Sequence, residues 1–183
     1  MYPHSRRCSH TVLFYKDETS VRESVAAYVA AALRAGDPAL VIAKPPLRQQ
    51  LTIALHRQHV QGSPFGPQRG LFVTLDAEET LEALCVDGSP DEGRFQEVIG
   101  AAFDGVAAPG KRTAAYGEMV GLLCERGQYA DAVRLEAMWN ELLPRFHASL
   151  FCGYSSHLFD APAARPFFQQ IHAAHWQPEL ATA

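Results

Sequence analysis

Two carboxylates stand where carboxylates are costly. Glu118 follows Gly117 directly at the end of the apolar run Thr113–Tyr116. Glu136 falls on the apolar stripe that Tyr129, Ala132, Val133, Trp139 and Leu143 form at helical spacing, with Asn140 one turn along. Arg134, Glu141 and Arg145 lie on the opposite side of that helix. A buried carboxylate must be ion-paired, hydrogen-bonded or protonated, because desolvating its charge costs several kcal/mol. Two such groups invite an acid/base reading. That chemistry also needs a nucleophile, a metal cage or a phosphate loop, and the chain has the pattern for none of them. Glu136 therefore either makes a structural ion pair or faces a polar cavity. Glu118 either caps a following helix, pairs with an arginine or turns into a crevice. Trp139 reads as core ahead of ligand platform.

Other reactive residues are weaker signals. His10, with Cys8, His157, His172 and His175, could be imagined around a metal, but the spacing matches no standard zinc pattern. His172 and His175 are three apart on a helix and could share a face. No metal and no cofactor is expected. Cys152 and Tyr154 share one face of a strand by period-two alternation, which makes Cys152 either a buried inert thiol or a pocket-lining one. The four cysteines form no CxxC pair and read as free thiols. After the first strand comes Lys16-Asp17-Glu18-Thr19-Ser20, with no glycine to build a phosphate loop. There is no GxGxxG after a strand and no GxSxG elbow. No enzymatic constellation results.

The elements that must position these groups alternate strand and helix. Thr11–Tyr15 is a short β-prone run, and Ser20 with Glu23 has capping-box spacing for a helix that Gly36 stops. Ala39–Ala43 is continuously apolar, the pattern of a strand buried on both faces, and Pro45-Pro46 ends it. Leu47 to about His59 reads as helix, 61–70 as a Gly/Pro-rich loop, Gly70–Leu75 as strand and Asp76–Leu84 as a short helix. Ser89-Pro90-Asp91-Glu92 predicts a helix capped by Ser89 with Pro90 in its first turn. Strands near Thr113–Tyr116 and Ala148–Tyr154 follow, and Pro166 opens a final helix carrying Phe167, Phe168 and Ile171. This alternation predicts an α/β domain with a mostly parallel central sheet and helices on both faces. In such sheets ligands bind outside the carboxyl ends of the strands, which picks out Tyr15, Lys44, Asp76, Glu118 and Tyr154.

Composition narrows the class. The 183 residues are 48% hydrophobic and 20% charged, enough for one domain with a full core; residues 1–9 and 179–183 are expected to be loose. A net charge of −4, with scattered Arg and Lys, offers no footprint for nucleic acid or anionic lipid. No apolar run approaches a membrane span and the opening MYPHSRRCSH has no signal-peptide core, so a cytoplasmic location is expected.

Taken in order, His10–Tyr15 followed by Asp17-Glu18, then Gly117–Val120, Leu122-Leu123, Gly127, Leu135-Glu136, Trp139-Asn140, Ser149–Tyr154 and Ile171–His175 with Pro178 beyond resemble the MEDS domain, the methanogen/methylotroph DcmR-type sensory domain. The resemblance covers nearly the whole chain. It implies a cytosolic sensory module of bacterial and archaeal regulators, found beside histidine kinases. Its stimulus would be a small molecule, with hydrocarbon derivatives the suggested class. It also implies a distant likeness to RecA/KaiC-type ATPase folds with the phosphate loop lost. His10, Tyr15, Glu118, Glu136, Trp139, Asn140, Tyr154 and His175 occupy family-pattern positions. Gly153 departs from the pattern, where alanine is expected; glycine there could loosen the strand or admit a ligand. No helix-turn-helix or kinase segment is visible, so the expectation is a stand-alone sensory domain. Its ligand would lie among Tyr15, Glu118, Glu136, Trp139, Tyr154 and His10, and it would signal through a protein partner such as a histidine kinase or regulator. The alternatives are a protein interaction module without a ligand, or a degenerate nucleotide-binding domain.

Overall fold

The computed structural model describes residues 9–58 and 71–175. Strand β1 (Ser9–Tyr15) leads into helix α1 (Glu18–Arg34), followed by β2 (Ala39–Ala43), α2 (Pro45–Arg57) and β3 (Phe72–Asp76). Helix α3 (Ala77–Leu84) precedes a small hairpin of β4 (Cys85–Val86) and β5 (Ser89–Pro90). Then come α4 (Glu92–Val106), β6 (Ala114–Gly117), α5 (Met119–Glu125), α6 (Tyr129–Leu142), β7 (Ser149–Ser155) and α7 (Arg165–Ala174). The five longer strands form one all-parallel sheet in the order β1-β7-β6-β2-β3. The expected α/β architecture with helices on both faces is what forms. Cys8, Pro178, the 61–70 loop and both expected loose termini fall outside the described residues, except that Ser9 already pairs with Ser149 in β1.

Period-two alternation sorts the side chains into two cores. On one face Val21, Val25 and Val29 of α1 and Leu47, Leu51 and Leu55 of α2 pack against Val41, Phe72 and Tyr116, with Leu13, Tyr15 and Phe151 alongside. On the other face α3 to α7 cover Leu40, Ile42, Ala115, Leu150, Cys152 and Tyr154, with Val12 and Phe14. β2 is buried along its whole length, as its unbroken apolar run predicts.

Several local expectations shift. Helix α1 starts earlier than the Ser20/Glu23 spacing suggests, because the Asp17 carboxylate accepts from the Ser20 N–H at 2.8 Å and caps it. Gly36, at φ +73°, closes the helix as expected. Pro45 and Pro46 do more than end β2; they form the first turn of α2, where their missing N–H groups cost nothing. Asp76 caps α3 by accepting from the Glu78 and Glu79 N–H groups. At α4 the cap is Asp91, which accepts from the Arg94 N–H at 2.9 Å, not Ser89. Ser89-Pro90 is drawn instead into the β4–β5 pair, because Asp87 (φ 51°) and Gly88 (φ 83°) form the left-handed turn that antiparallel hairpins favour.

Candidate functional site

The six expected ligand residues do not line one pocket. The structure divides them between the two faces of the sheet and the core. Trp139 is in the core, 1% exposed, with its ring edge-on to Phe95 at 5.1 Å and near Phe103 at 6.3 Å. Tyr15 and Glu118 meet at the carboxyl ends of β1 and β6. His10, Glu136 and Tyr154 meet inside the opposite face.

The strand-end region is a cleft of about 190 Å³ lined by Tyr15, Glu18, Val21, Lys44, Leu47 and Glu118, with Pro46 and Gln50. Its walls come from α1 and from the β2–α2 turn, and its floor from the end of β6. Glu118 is held from two sides. Its Oε2 accepts from the Lys44 backbone N–H at 2.6 Å and its Oε1 from the Tyr116 hydroxyl at 3.3 Å. It stands at the start of α5 but makes no side-chain cap, and its hydrogen bonds go to no arginine. Burial raises the Glu118 carboxyl above its ordinary range, against the opposing pull of the Lys44 N–H and charge and of the Tyr116 hydroxyl. Burial, then the nearby Glu118 charge, pushes the Tyr15 phenol up to about 12. Lys44 sends its ammonium away from Glu118's oxygens, to Glu125 at 3.0 Å. Asp76, the other strand-end acid, is spent on its cap and on Arg48 at 2.8 Å.

Gly153 has a purpose that the sequence leaves open. A Cβ built there would lie 2.4 Å from the Tyr116 hydroxyl oxygen and 3.1 Å from its ring. The space is therefore filled by the phenol that reaches Glu118, not held open for a ligand.

The second site is built from four elements. His10 comes from β1, Glu136 and Asn140 from consecutive turns of α6, Cys152 and Tyr154 from one face of β7, and His175 from the end of α7. Glu136 is fully buried. Its Oε1 accepts from the Tyr154 hydroxyl at 2.5 Å and lies 3.4 Å from His175 Nε2. Its Oε2 lies 3.1 Å from His10 Nε2 and accepts from the Cys152 thiol at 3.6 Å. The polar partners of Glu136 are thus imidazoles, a phenol and a thiol. Burial alone would raise the Glu136 carboxyl; His10 and His175, by their close approach and charge, together outweigh it and hold the group at about 2. Burial alone would lower His175, and the adjacent Glu136 carboxylate turns the shift upward. Burial, then the Glu136 charge, pushes the Cys152 thiol and the Tyr154 phenol well up.

The outer edges of both imidazoles are anchored. His10 Nδ1 meets Asn140 Oδ1 at 2.9 Å, and Asn140 Nδ2 donates to the Ala174 carbonyl at 2.9 Å, which orients the amide. His175 Nδ1 meets the Ile171 carbonyl at 2.6 Å. Both Nδ1 atoms therefore donate outward. Of the histidines considered from spacing, His157 stays on the surface with Asp160 at 3.2 Å, and His172 is exposed and shares no face with His175. Cys152 is the site member that sequence reasoning left undecided. Its signal was alternation with Tyr154 on the same strand face that His10, Val12 and Phe14 continue in β1.

Among the described residues, no helix is long and apolar enough to cross a membrane. No curated protein and no solved structure matches the chain. A family model, MEthanogen/methylotroph, DcmR Sensory domain, matches residues 9–172, from the first residue of β1 into α7. The match runs through the strands and helices that carry both carboxylates, and by it the chain belongs to the MEDS family of sensory domains.

Proposed function

We propose that the protein senses a small molecule in the strand-end cleft and passes the signal to a protein partner. The observation that carries this reading is Glu118. It is a nearly buried carboxyl that makes no cap and, among the described residues, no arginine pair, and it faces a cleft at the carboxyl ends of parallel strands. At about 190 Å³ the cleft is below the roughly 300–1,000 Å³ of drug-sized pockets. It suits a short hydrocarbon derivative. Val21, Pro46, Leu47 and the Tyr15 ring would cover the apolar body, and Glu118 would accept a hydrogen bond from a hydroxyl or amine.

Signalling follows from position. The cleft joins the start of α1 to the first turn of α2, so a ligand that prefers one spacing of these helices shifts the population toward it. A histidine kinase or regulator in the cytoplasm would read the changed helical surface. A distant relation to RecA/KaiC-type ATPases belongs to the same reading. It is supported by the all-parallel sheet and by the turn after β1, where Lys16-Asp17-Glu18-Thr19-Ser20 has none of the glycines a phosphate loop uses.

The test is a melting-temperature screen of short-chain alcohols and amines against wild type and Glu118→Ala. A ligand present at about 100 times its Kd adds about 2.7 kcal/mol of stability. One class should raise the wild-type melting temperature and lose its effect in Glu118→Ala. A shift that survives Glu118→Ala, or one produced only by ATP with magnesium, contradicts the proposal.

A further inference from the structure

The polar cluster within the α3–α7 face turns several ligand-type atoms toward one another. Because both Nδ1 atoms donate outward, the Nε2 of each imidazole is the atom turned inward. Both Nε2 atoms face the Glu136 carboxylate, and His10 Nε2 also faces the Cys152 thiol. His175 Nε2 is buried and, although 3.4 Å from Glu136 Oε1, makes no hydrogen bond among the described residues. A buried, unpartnered nitrogen of this kind, beside three other ligand-type atoms, is suited to binding a cation.

The spacing says which kind of cation. One ligand atom each from His10, Glu136, Cys152 and His175 all lie within 4.8 Å of one another, and all four residues are buried. Bonds of about 2.0–2.1 Å to nitrogen and oxygen and about 2.3 Å to sulfur put tetrahedral ligand atoms about 3.3–3.6 Å apart. His10 Nε2 is 3.1 Å from Glu136 Oε2 and 3.3 Å from Cys152 Sγ, and Sγ is 3.6 Å from Oε2. A proton would serve one acceptor along one line, whereas here four ligand atoms are mutually close, with His175 Nε2 3.4 Å from the other carboxylate oxygen. The outward Nδ1–H bonds to an amide and to a carbonyl are also how metal-ligating imidazoles are oriented.

We propose that His10, Glu136, Cys152 and His175 form a closed tetrahedral site for a zinc-class divalent ion. Two imidazoles, a carboxylate and a thiolate suit zinc or cobalt and are too few and too soft for calcium or magnesium. Asn140 and the Ile171 carbonyl are positioning groups, and Tyr154 holds the second carboxylate oxygen. The ligands come from β1, α6, β7 and the end of α7, so the ion ties the last helix to the sheet. With four protein ligands and no open position the site is structural, and the ion is taken up as the chain folds. Nothing in this proposal depends on the cleft at Glu118.

The test uses the full chain stripped with a chelator and dialysed against zinc or cobalt. The expected result is one ion retained per chain, a higher melting temperature, and a cobalt form with tetrahedral visible bands and a sulfur-to-cobalt charge-transfer band. Cys152→Ser should lose the charge-transfer band, while His157→Ala should leave the spectrum unchanged. Wild-type protein that retains no ion and keeps its melting temperature overturns the proposal, as does a cobalt spectrum without the sulfur band.

Discussion

Glu118 and Glu136 lie on the two sides of the same sheet, and both are buried, yet their environments push them in opposite directions. Glu118 has a backbone N–H and a phenol for partners, and burial prevails, so its carboxyl holds a proton more readily than usual. Glu136 is buried more completely but has two imidazoles against it, and its carboxyl is held down to about 2. The number and charge of the partners, not depth, decide ionisation. The consequence is a division of labour. A fully partnered carboxylate locks four elements together, whereas one with a cleft in front of it can still accept from something else.

The largest effect should come from breaking the locked side. Glu136→Ala leaves two imidazoles and a phenol facing an empty space and should cost about 3–5 kcal/mol in urea unfolding, the penalty of removing one partner of a buried pair. A loss under about 1 kcal/mol would show that the cluster does not hold α7 and β1 to α6.

Next in size is the support beneath Glu118. Gly153→Ala brings a Cβ against the Tyr116 hydroxyl and should cost about 1–3 kcal/mol as an overpacking change. Tyr116→Phe in the same chain should recover part of that loss, since the closest clash is with the hydroxyl oxygen. A double-mutant cycle with no coupling would separate Gly153 from Glu118.

The pH dependence at Glu118 is smaller and has a definite sign. Its folded pKa lies above the ordinary 4.5, so the folded state binds the proton more tightly. The group's contribution to stability is then greatest below that value and declines as pH rises through the folded pKa. Glu118→Gln removes the decline. Its melting temperature should gain on wild type as pH rises from the ordinary carboxyl range through the raised folded value. A gain in the opposite direction would mean that partners outweigh burial there, as they do at Glu136.

The smallest effect belongs to the Lys44 side chain. Its pair with Glu125 is exposed on both sides, and Lys44→Met should change stability by at most about 1 kcal/mol while leaving the backbone bond to Glu118 intact. Chemical denaturation would show it. A larger loss would mean that the ammonium matters to Glu118 directly.

The sequence made the layers legible because they rest on periodicity. The unbroken run of β2 and the alternation along β7 needed no tertiary information. Glu136 was also visible as a carboxylate on an apolar stripe. Its partners were not, because His10 is separated from it by 126 positions in the chain and only the β1–β7 pairing brings them together. His175 was legible only as a member of a motif, since its burial depends on how α7 lies on α6. The cleft was half legible. The strand-end rule identified Tyr15, Lys44 and Glu118, but it also picked out Tyr154, whose side chain turns to the other face. At Ser89-Pro90 two local signals competed, and the Asp87-Gly88 turn outweighed the apparent cap.

The division between the two sides can be read in one nuclear magnetic resonance experiment on wild-type protein. The Lys44 amide donates to Glu118 at 2.6 Å and reports on the cleft, while the His10 and His175 rings report on the cluster. Titration with the alcohol or amine that raises the melting temperature should move the Lys44 amide signal and leave both imidazoles in place. Movement of the His10 and His175 signals with Lys44 unchanged would contradict the division and put ligand binding at Glu136.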